Sequence, residues 1–299
     1  MKKSANTAVR EKASVMQRML SAPYTVWAML FILVPLVFIA YYAFTDDNFN
    51  FTFDNISRFF NAISEITAAD GSVTKVRTYI LIFRRSVRLA VISTLICFLL
   101  GYPIAYIISR MKPKTQKTMI TVIMIPMWMN FLLRTLAWQT LLEKTGVINN
   151  ILSFLHLPEL VIINTPYAIV LGMVYNFLPF MVLPIYNSLA KIDENVIQAA
   201  RDLGANSIQV FLHITLPLST PGIISGITMV FVPALTTFVI SKLLGGSKIL
   251  LIGNVIEEEF TQASNWHLGS GLSIVLMLFI LINMALSALF DKEGEGSFL

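Results

Sequence analysis

Gln198-Ala199-Ala200-Arg201-Asp202-Leu203-Gly204, followed after nine residues by Ile214-Thr215-Leu216-Pro217, is the stretch on which the fold turns. It lies between two long apolar blocks, 166–188 and 222–243, yet has the polarity of a surface segment. Ile197, Ala200 and Leu203 are spaced to share one helical face, with Asp193, Glu194, Arg201 and Asp202 solvating the rest. Asp193 can cap that helix, and Glu194 suits the positive end of its dipole. Gly204 supplies the left-handed residue that ends a helix cheaply. Ser207 is then placed to cap a second helix, whose Val210, Phe211 and Ile214 form another apolar stripe. Pro217 and Pro221 stop it before the next span begins at Gly222. Small side chains at Ala199 and Ala200 let a partner's backbone come close. The pattern predicts a short helix, a glycine turn and a second short helix, offered to another protein.

The rest of the chain is built for lipid. Of its 299 residues 56% are hydrophobic and 13% charged, with mean hydropathy +0.72. A soluble domain is about a quarter charged, so most soluble classes are excluded. The apolar residues come in blocks of about twenty, the length a spanning helix requires. Six spans are predicted, at 24–44, 88–108, 118–141, 166–188, 222–243 and 271–290, forming one all-α transmembrane domain over 24–290. The net charge of +5 reads as orientation and headgroup contact rather than nucleic-acid binding. Cys97 is the only cysteine, so no intrachain disulfide forms and no cysteine-based metal site exists.

Charge asymmetry sets the predicted orientation. A basic leader, 1–23, carries Lys2, Lys3, Arg10, Lys12 and Arg18, and the loop after the second span carries Arg110, Lys112, Lys114 and Lys117. Both belong in the cytosol by the positive-inside rule, and six spans return the tail, 291–299, to the same side. The first apolar block runs on through Ala40-Tyr41-Tyr42-Ala43, longer than a signal-peptide core, so it reads as an uncleaved anchor. Arg84, Arg85 and Arg88 oppose this orientation. With Arg77 they suit a basic amphipathic helix lying on the outer membrane surface. Between the fifth and sixth spans, Gly245-Gly246-Ser247 precedes an apolar run, 249–256, too short to cross a bilayer and expected to be re-entrant or interfacial. Pro35, Pro103, Pro126, Pro179, Pro184 and Pro233 fall within the spans, where breaks are tolerated if neighbours or water satisfy the freed backbone.

The spacing of the 198–217 stretch resembles the coupling signature of ABC-importer permeases: Glu-Ala-Ala, three residues, Gly, nine residues, Ile-x-Leu-Pro. Further segments look like polyamine importer permeases. These are Ile125-Pro126-Met127-Trp128-Met129-Asn130-Phe131-Leu132-Leu133-Arg134, Leu178-Pro179-Phe180-Met181-Val182-Leu183-Pro184-Ile185-Tyr186, and Leu243-Leu244-Gly245-Gly246 with Leu251-Ile252-Gly253-Asn254-Val255-Ile256. The chain is similar to the B-type permease subunit of spermidine/putrescine importers of the type I kind. That resemblance implies a heterodimer with a C-type permease, two copies of a cytosolic ATPase that binds ATP and Mg, an external polyamine-binding protein, and a bacterial cytoplasmic membrane. It implies an ATPase-coupling role for Gln198, Ala199, Ala200, Arg201, Asp202, Gly204, Ile214, Leu216 and Pro217 within the loop 191–221. The family's first Glu is Gln198 here, which hydrogen-bonds but carries no charge, so this half of the coupling would lean on Arg201 and Asp202.

A path for a polycation wants carbonyls, amides, aromatic faces and some carboxylate. Trp128, Asn130, Tyr175 and Asn176 are the span residues expected to face a cavity, with interhelical bonding or interfacial anchoring as their alternative. Arg134 is expected to snorkel outward or to pair with Glu143 or a partner subunit. Glu257, Glu258 and Glu259 would draw cations toward a gate or dock the binding protein, with a solvated helix face as the alternative. No catalytic residues, cofactor or metal site are expected in the chain. His156, His213 and His267 form no metal or nucleophile motif, and no phosphate-binding Gly-x-x-x-x-Gly-Lys loop occurs. The competing functions are a permease for another solute, such as an oxyanion or ferric ion, and an ion-coupled secondary transporter. The latter would carry ionisable residues inside its spans.

Overall fold

Apolar blocks of this length can satisfy their backbone groups in lipid only as helices, and each is helical in the computed structural model of the chain. The structure describes residues 23–67, 73–246 and 249–296. The leader's basic residues, Ser247 and the last three residues of the predicted tail lie outside the described residues.

Helix α1 (Pro23–Ala43) contains one π-turn at Met29–Leu33. A short helix, α2 (Asp54–Asn61), leads into an antiparallel hairpin of β1 (Ile63–Thr67) and β2 (Val73–Arg77), with Ile63 opposite Arg77. Helix α3 (Thr78–Ser109) follows, then α4 (Pro113–Trp128), α5 (Phe131–Leu142), α6 (Val147–Phe154) and α7 (Pro166–Leu189). The remainder comprises α8 (Glu194–Asp202), α9 (Ser207–Leu218), α10 (Thr220–Thr236), α11 (Val239–Leu244), α12 (Ile252–Thr261) and α13 (Trp266–Gly296). The fold is all-α apart from one small hairpin among the described residues.

Four helices, α1, α3, α7 and α13, are each long and apolar enough to cross a membrane. The other two predicted spans differ from expectation, because each is bent. The chain turns by 87° after α4. There Met129 and Asn130 are extended, and Asn130 Oδ1 accepts from the amides of Leu132 at 2.8 Å and Leu133 at 3.3 Å, capping a new helix. The fifth span was expected over 222–243 but ends at Thr236, three residues after Pro233, and extended Thr237 separates it from α11. Its other end joins α9 through a 61° bend.

The arginine cluster also departs from expectation. Arg84, Arg85 and Arg88 do not form a separate surface helix; they belong to the first turns of α3. At ~1.5 Å per residue, this 32-residue helix is about 48 Å long, well beyond the ~30 Å hydrocarbon core. Arg84 and Arg88 are exposed on it, while Ile82, Ser86, Leu89 and Ala90 of the same turns face the core. The helix therefore has length to spare beyond the hydrocarbon, and carries its exposed arginines in its first turns.

Helix α7 runs through the centre with Ile169, Met173, Met181, Val182 and Ile185 fully buried, and packs on α3 and α10. Close approach needs residues without side chains. A Cβ at Gly101 of α3 or at Gly226 of α10 would stand 2.9 Å from Met181. Small residues at such crossings let helices pack in lipid. The short apolar run becomes α12, buried at its start against α3, α10 and α13. The amide of Ile252 donates to Ser86 Oγ at 2.8 Å, and Asn254 accepts from Ser241 Oγ at 2.6 Å and donates to the Phe238 carbonyl at 3.0 Å. Polar groups thus pin an apolar segment that is too short to span.

Candidate functional site

The hairpin of α8 and α9 assembles from local rules. Asp193 Oδ1 accepts from the Asn195 amide at 2.9 Å, capping α8, and Glu194 sits in its first turn. Gly204 has φ +90°. The Gly204 amide donates to the Arg201 carbonyl and the Ala205 amide to that of Ala200, at 2.9 and 3.0 Å, the paired bonds of a Schellman ending. The second cap is Asn206 rather than the expected Ser207. Its Oδ1 accepts from the Gln209 amide, and Gln209 Oε1 accepts from the Asn206 amide, both at 2.8 Å, forming a reciprocal capping box.

Two further expectations are corrected here. Leu203 does not share a covered face with Ile197: Ile197 is 4% exposed and Leu203 89%, because Leu203 is already the C-cap and has left the helical path. Pro217 does not stop the second helix. A π-turn over Phe211–Thr215 restarts the helix at Leu216, so Pro217 falls in a first turn where its missing N–H is harmless. The helix ends only at Leu218, before the 61° bend.

Gln198, Ala199, Arg201, Asp202, Gly204 and Pro217 are exposed, and Ala200, Ile214 and Leu216 are half-buried. An open cleft of about 350 Å³ between the two helices is lined by Leu203, Gly204, Ala205, Gln209, His213 and Ile214. Beneath it the hairpin is gripped. Val210 is buried, and Phe211 stands edge-on to Tyr102 and Tyr106 of α3, with ring centroids 5.8 and 5.6 Å apart. Tyr102 and Ser219 hydroxyls lie 3.0 Å apart at the bend. Sequence reasoning missed Tyr102, Tyr106 and Ser219. Two aromatics four residues apart at the end of a span were the available signal.

The expected path residues do not converge. Trp128 is 74% exposed at the α4–α5 bend, and Asn130 spends its carbonyl on the cap. Tyr175 meets Trp138 edge-on at 5.2 Å, another aromatic the sequence reading passed over. Asn176 is 1% exposed and donates to the Gly172 carbonyl at 2.9 Å, while its Oδ1 has no partner. Arg134 does not snorkel outward; it is buried, and its Nε has no hydrogen-bond partner. A cavity of about 420 Å³ opens instead between α7 and α10 near the hairpin, lined by Phe180, Pro184, Asn187, Lys191, Ser225 and Met229 among others.

Glu257, Glu258 and Glu259 lie half-buried on α12. Glu257 pairs with Lys242 at 3.2 Å. Burial, reinforced by neighbouring Glu258 and opposed by Arg58, pushes the Glu259 carboxyl up.

Residues 97–293 match the model of the family described as binding-protein-dependent transport system inner membrane component. The spermidine/putrescine transport system permease protein PotB of Haemophilus influenzae is 36% identical, over 90% of this chain and 93% of its own. PotB of Escherichia coli K12 is 35% identical, over 90% and 97%. In fold, the chain is similar to one in a bacterial alginate ABC transporter bound to its periplasmic protein (TM-score 0.75, 18% identity, 94% of this chain and 96% of that one). It also resembles a chain of the inward-facing MetNI methionine ABC transporter (TM-score 0.54, 15% identity, 72% and 95%).

Proposed function

The chain belongs to the binding-protein-dependent transport system inner membrane components, and from that premise we propose that it is a permease subunit of an ATP-driven importer of polyamines, spermidine or putrescine. The observation that carries the cargo assignment is its identity to PotB proteins along nine-tenths of both sequences. On this reading it pairs with a C-type permease, receives cargo from an external binding protein and keeps both termini in the cytosol. It hydrolyses nothing. ATP and Mg belong to two copies of a partner ATPase, which grips the α8–α9 hairpin.

The hairpin's construction supports the coupling role. Its outer surface is small, open and glycine-turned, and its underside is wedged into α3 through Phe211 and joined to α10 at Ser219. A push on the hairpin is therefore delivered to two core helices together. The cavity between α7 and α10 is the proposed inward end of the path, and Lys191 on its wall disfavours a polycation lingering there.

Gly204→Leu tests the coupling role. A Cβ at this position meets nothing within 4 Å, so the core is untouched, but φ +90° strains any residue that carries a Cβ, and bulk covers the gripping surface. The expected result is loss of polyamine uptake with membrane insertion intact. Undiminished uptake by the variant would overturn the coupling assignment.

A further inference from the structure

Threonines within the helices follow one habit. Thr94, Thr135, Thr228 and Thr236 each donate to the carbonyl four residues back, at 2.8–3.0 Å. Thr215 breaks it. This residue is 1% exposed, and its Oγ1 has no hydrogen-bond partner. The reason lies in the backbone. Over Phe211–Thr215 the helix is a π-turn, and the Phe211 carbonyl, which Thr215 would otherwise use, accepts from the Leu216 amide five residues on. We propose that this turn is a two-state element with Thr215 as its positioning residue. Tightening to an α-turn would give the hydroxyl its carbonyl and rotate Phe211 out of its seat between Tyr102 and Tyr106. The proposal rests on the coupling reading of the hairpin and names its moving part.

Three observations carry it. The first is that each form of the turn meets one demand and fails another. A buried hydroxyl without a partner is costly, and the π form leaves Thr215 in that state. In the α form the ring of Pro217 would press on the carbonyl of His213, four residues back, which a wider turn avoids. The other π-turn among the described residues, Met29–Leu33, likewise ends two residues before a proline, Pro35. Yet Pro103, Pro179 and Pro233 lie inside α-helices. A following proline therefore favours the wide turn without forcing it, and the Thr215 hydroxyl pulls the other way.

Position is the second observation. The turn lies between two anchors on α3: Phe211 stands edge-on to Tyr102 and Tyr106, and the Ser219 hydroxyl lies 3.0 Å from that of Tyr102. Five residues wound as a π-turn rather than an α-turn differ by roughly a quarter of a turn about the axis. With Ser219 held, tightening carries Phe211 and the attached α8 around by that amount. The third is room to move. Leu212 and His213 are exposed, and the open cleft of about 350 Å³ is bounded by His213 and Ile214 of this same turn. The one ring contact of His213 with the backbone is local, to the Gln209 carbonyl at 3.1 Å. Nothing on that side pins the turn to the core, whereas Thr215 on the other side is enclosed.

The experiment uses the intact importer in lipid, with Thr215→Val and Thr215→Ser. Valine keeps the shape and removes the hydroxyl, which relieves the π form and deprives the α form of its bond, so the turn stays wide. Amide hydrogen exchange across 212–216 is compared between nucleotide-free and vanadate-trapped complexes. It should differ between those states in the wild type and in Thr215→Ser, and not in Thr215→Val. Spermidine taken up per ATP hydrolysed should fall about fivefold or more in Thr215→Val, the weight of one hydrogen bond on a two-state balance, and recover in Thr215→Ser. The melting temperature of Thr215→Val should be no lower than that of the wild type. Identical exchange in the two nucleotide states of the wild type would overturn the proposal, as would wild-type uptake per ATP in Thr215→Val. A Thr215→Val complex that melts lower or fails to assemble would overturn it too, because the hydroxyl would then be bonded in the resting form. Gly204→Leu separates the two readings: full uptake by that variant refutes coupling itself, while an inactive Gly204→Leu beside a fully active Thr215→Val refutes the turn alone.

Discussion

Tyr102 of α3 donates its phenolic hydrogen to Ser219 Oγ across 3.0 Å, at the bend between α9 and α10. The direction follows from the serine, whose own hydrogen goes to the Leu216 carbonyl at 2.9 Å. Both residues are buried, Ser219 completely. This bond ties the hairpin, a core helix and a bent span together at one point.

Tyr102→Phe and Ser219→Ala should therefore be non-additive. Each single change should cost about 1 kcal/mol, and the double variant little more than either alone. Thermal unfolding of the assembled complex would measure the cycle. Simple additivity would mean that the bond contributes nothing. In transport assays, Tyr102→Phe is expected to lower uptake per ATP hydrolysed, since one of two links between hairpin and helices has gone.

Asn254 is the corresponding point at the other end. Its side chain serves Ser241 Oγ, the Leu251 amide and the Phe238 carbonyl while 3% exposed. Asn254→Leu keeps the size but strands the Leu251 amide, while Ser241 Oγ and the Phe238 carbonyl still bond to each other at 3.0 Å. At about 1–3 kcal/mol for one stranded amide, the loss should come to about 2 kcal/mol and loosen the start of α12. A melting temperature within a degree or so of wild type would refute this.

The two ends differ in how far the sequence foretold them. Asp193, Gly204 and the helix–turn–helix were legible because caps and left-handed turns are decided by neighbours a few residues away. Asn206 was overlooked because Ser207, one position on, is an equally good cap by type; Gln209 three residues after Asn206 was the deciding clue. Leu203 misled because its spacing was helical although its backbone was not. The α4–α5 break was hidden because Asn130 is polar in a run long enough to span without it. Tyr102 and Tyr106 were visible as an aromatic pair, but that Phe211 wedges against them was out of reach, since it unites residues distant in the chain.

Gly222 should be intolerant of even one methyl. A Cβ there would stand 2.6 Å from the Pro184 carbonyl oxygen and 2.6 Å from Ser188 Cβ. Part of that contact is backbone, which cannot rotate away. Gly222→Ala is expected to separate α7 from α10 and lower stability by about 1–3 kcal/mol. A melting temperature equal to that of the wild type would rule out tight packing at Gly222.

Glu259 gives a pH-dependent test with a definite sign. Burial on α12, together with neighbouring Glu258, raises its carboxyl above the ordinary range, while Arg58 pulls the other way. The folded chain then holds this proton more tightly than the unfolded chain does. Stability consequently falls as pH rises from the ordinary carboxylate range to the raised value, and the penalty persists at neutral pH. Glu259→Gln removes the charge and the penalty with it. The variant should melt higher than wild type at pH 7, and the gain should vanish at a pH low enough to protonate both folded and unfolded forms. A variant less stable than wild type at pH 7 would mean that attraction to Arg58 outweighs burial, and that the carboxylate belongs to an ion pair.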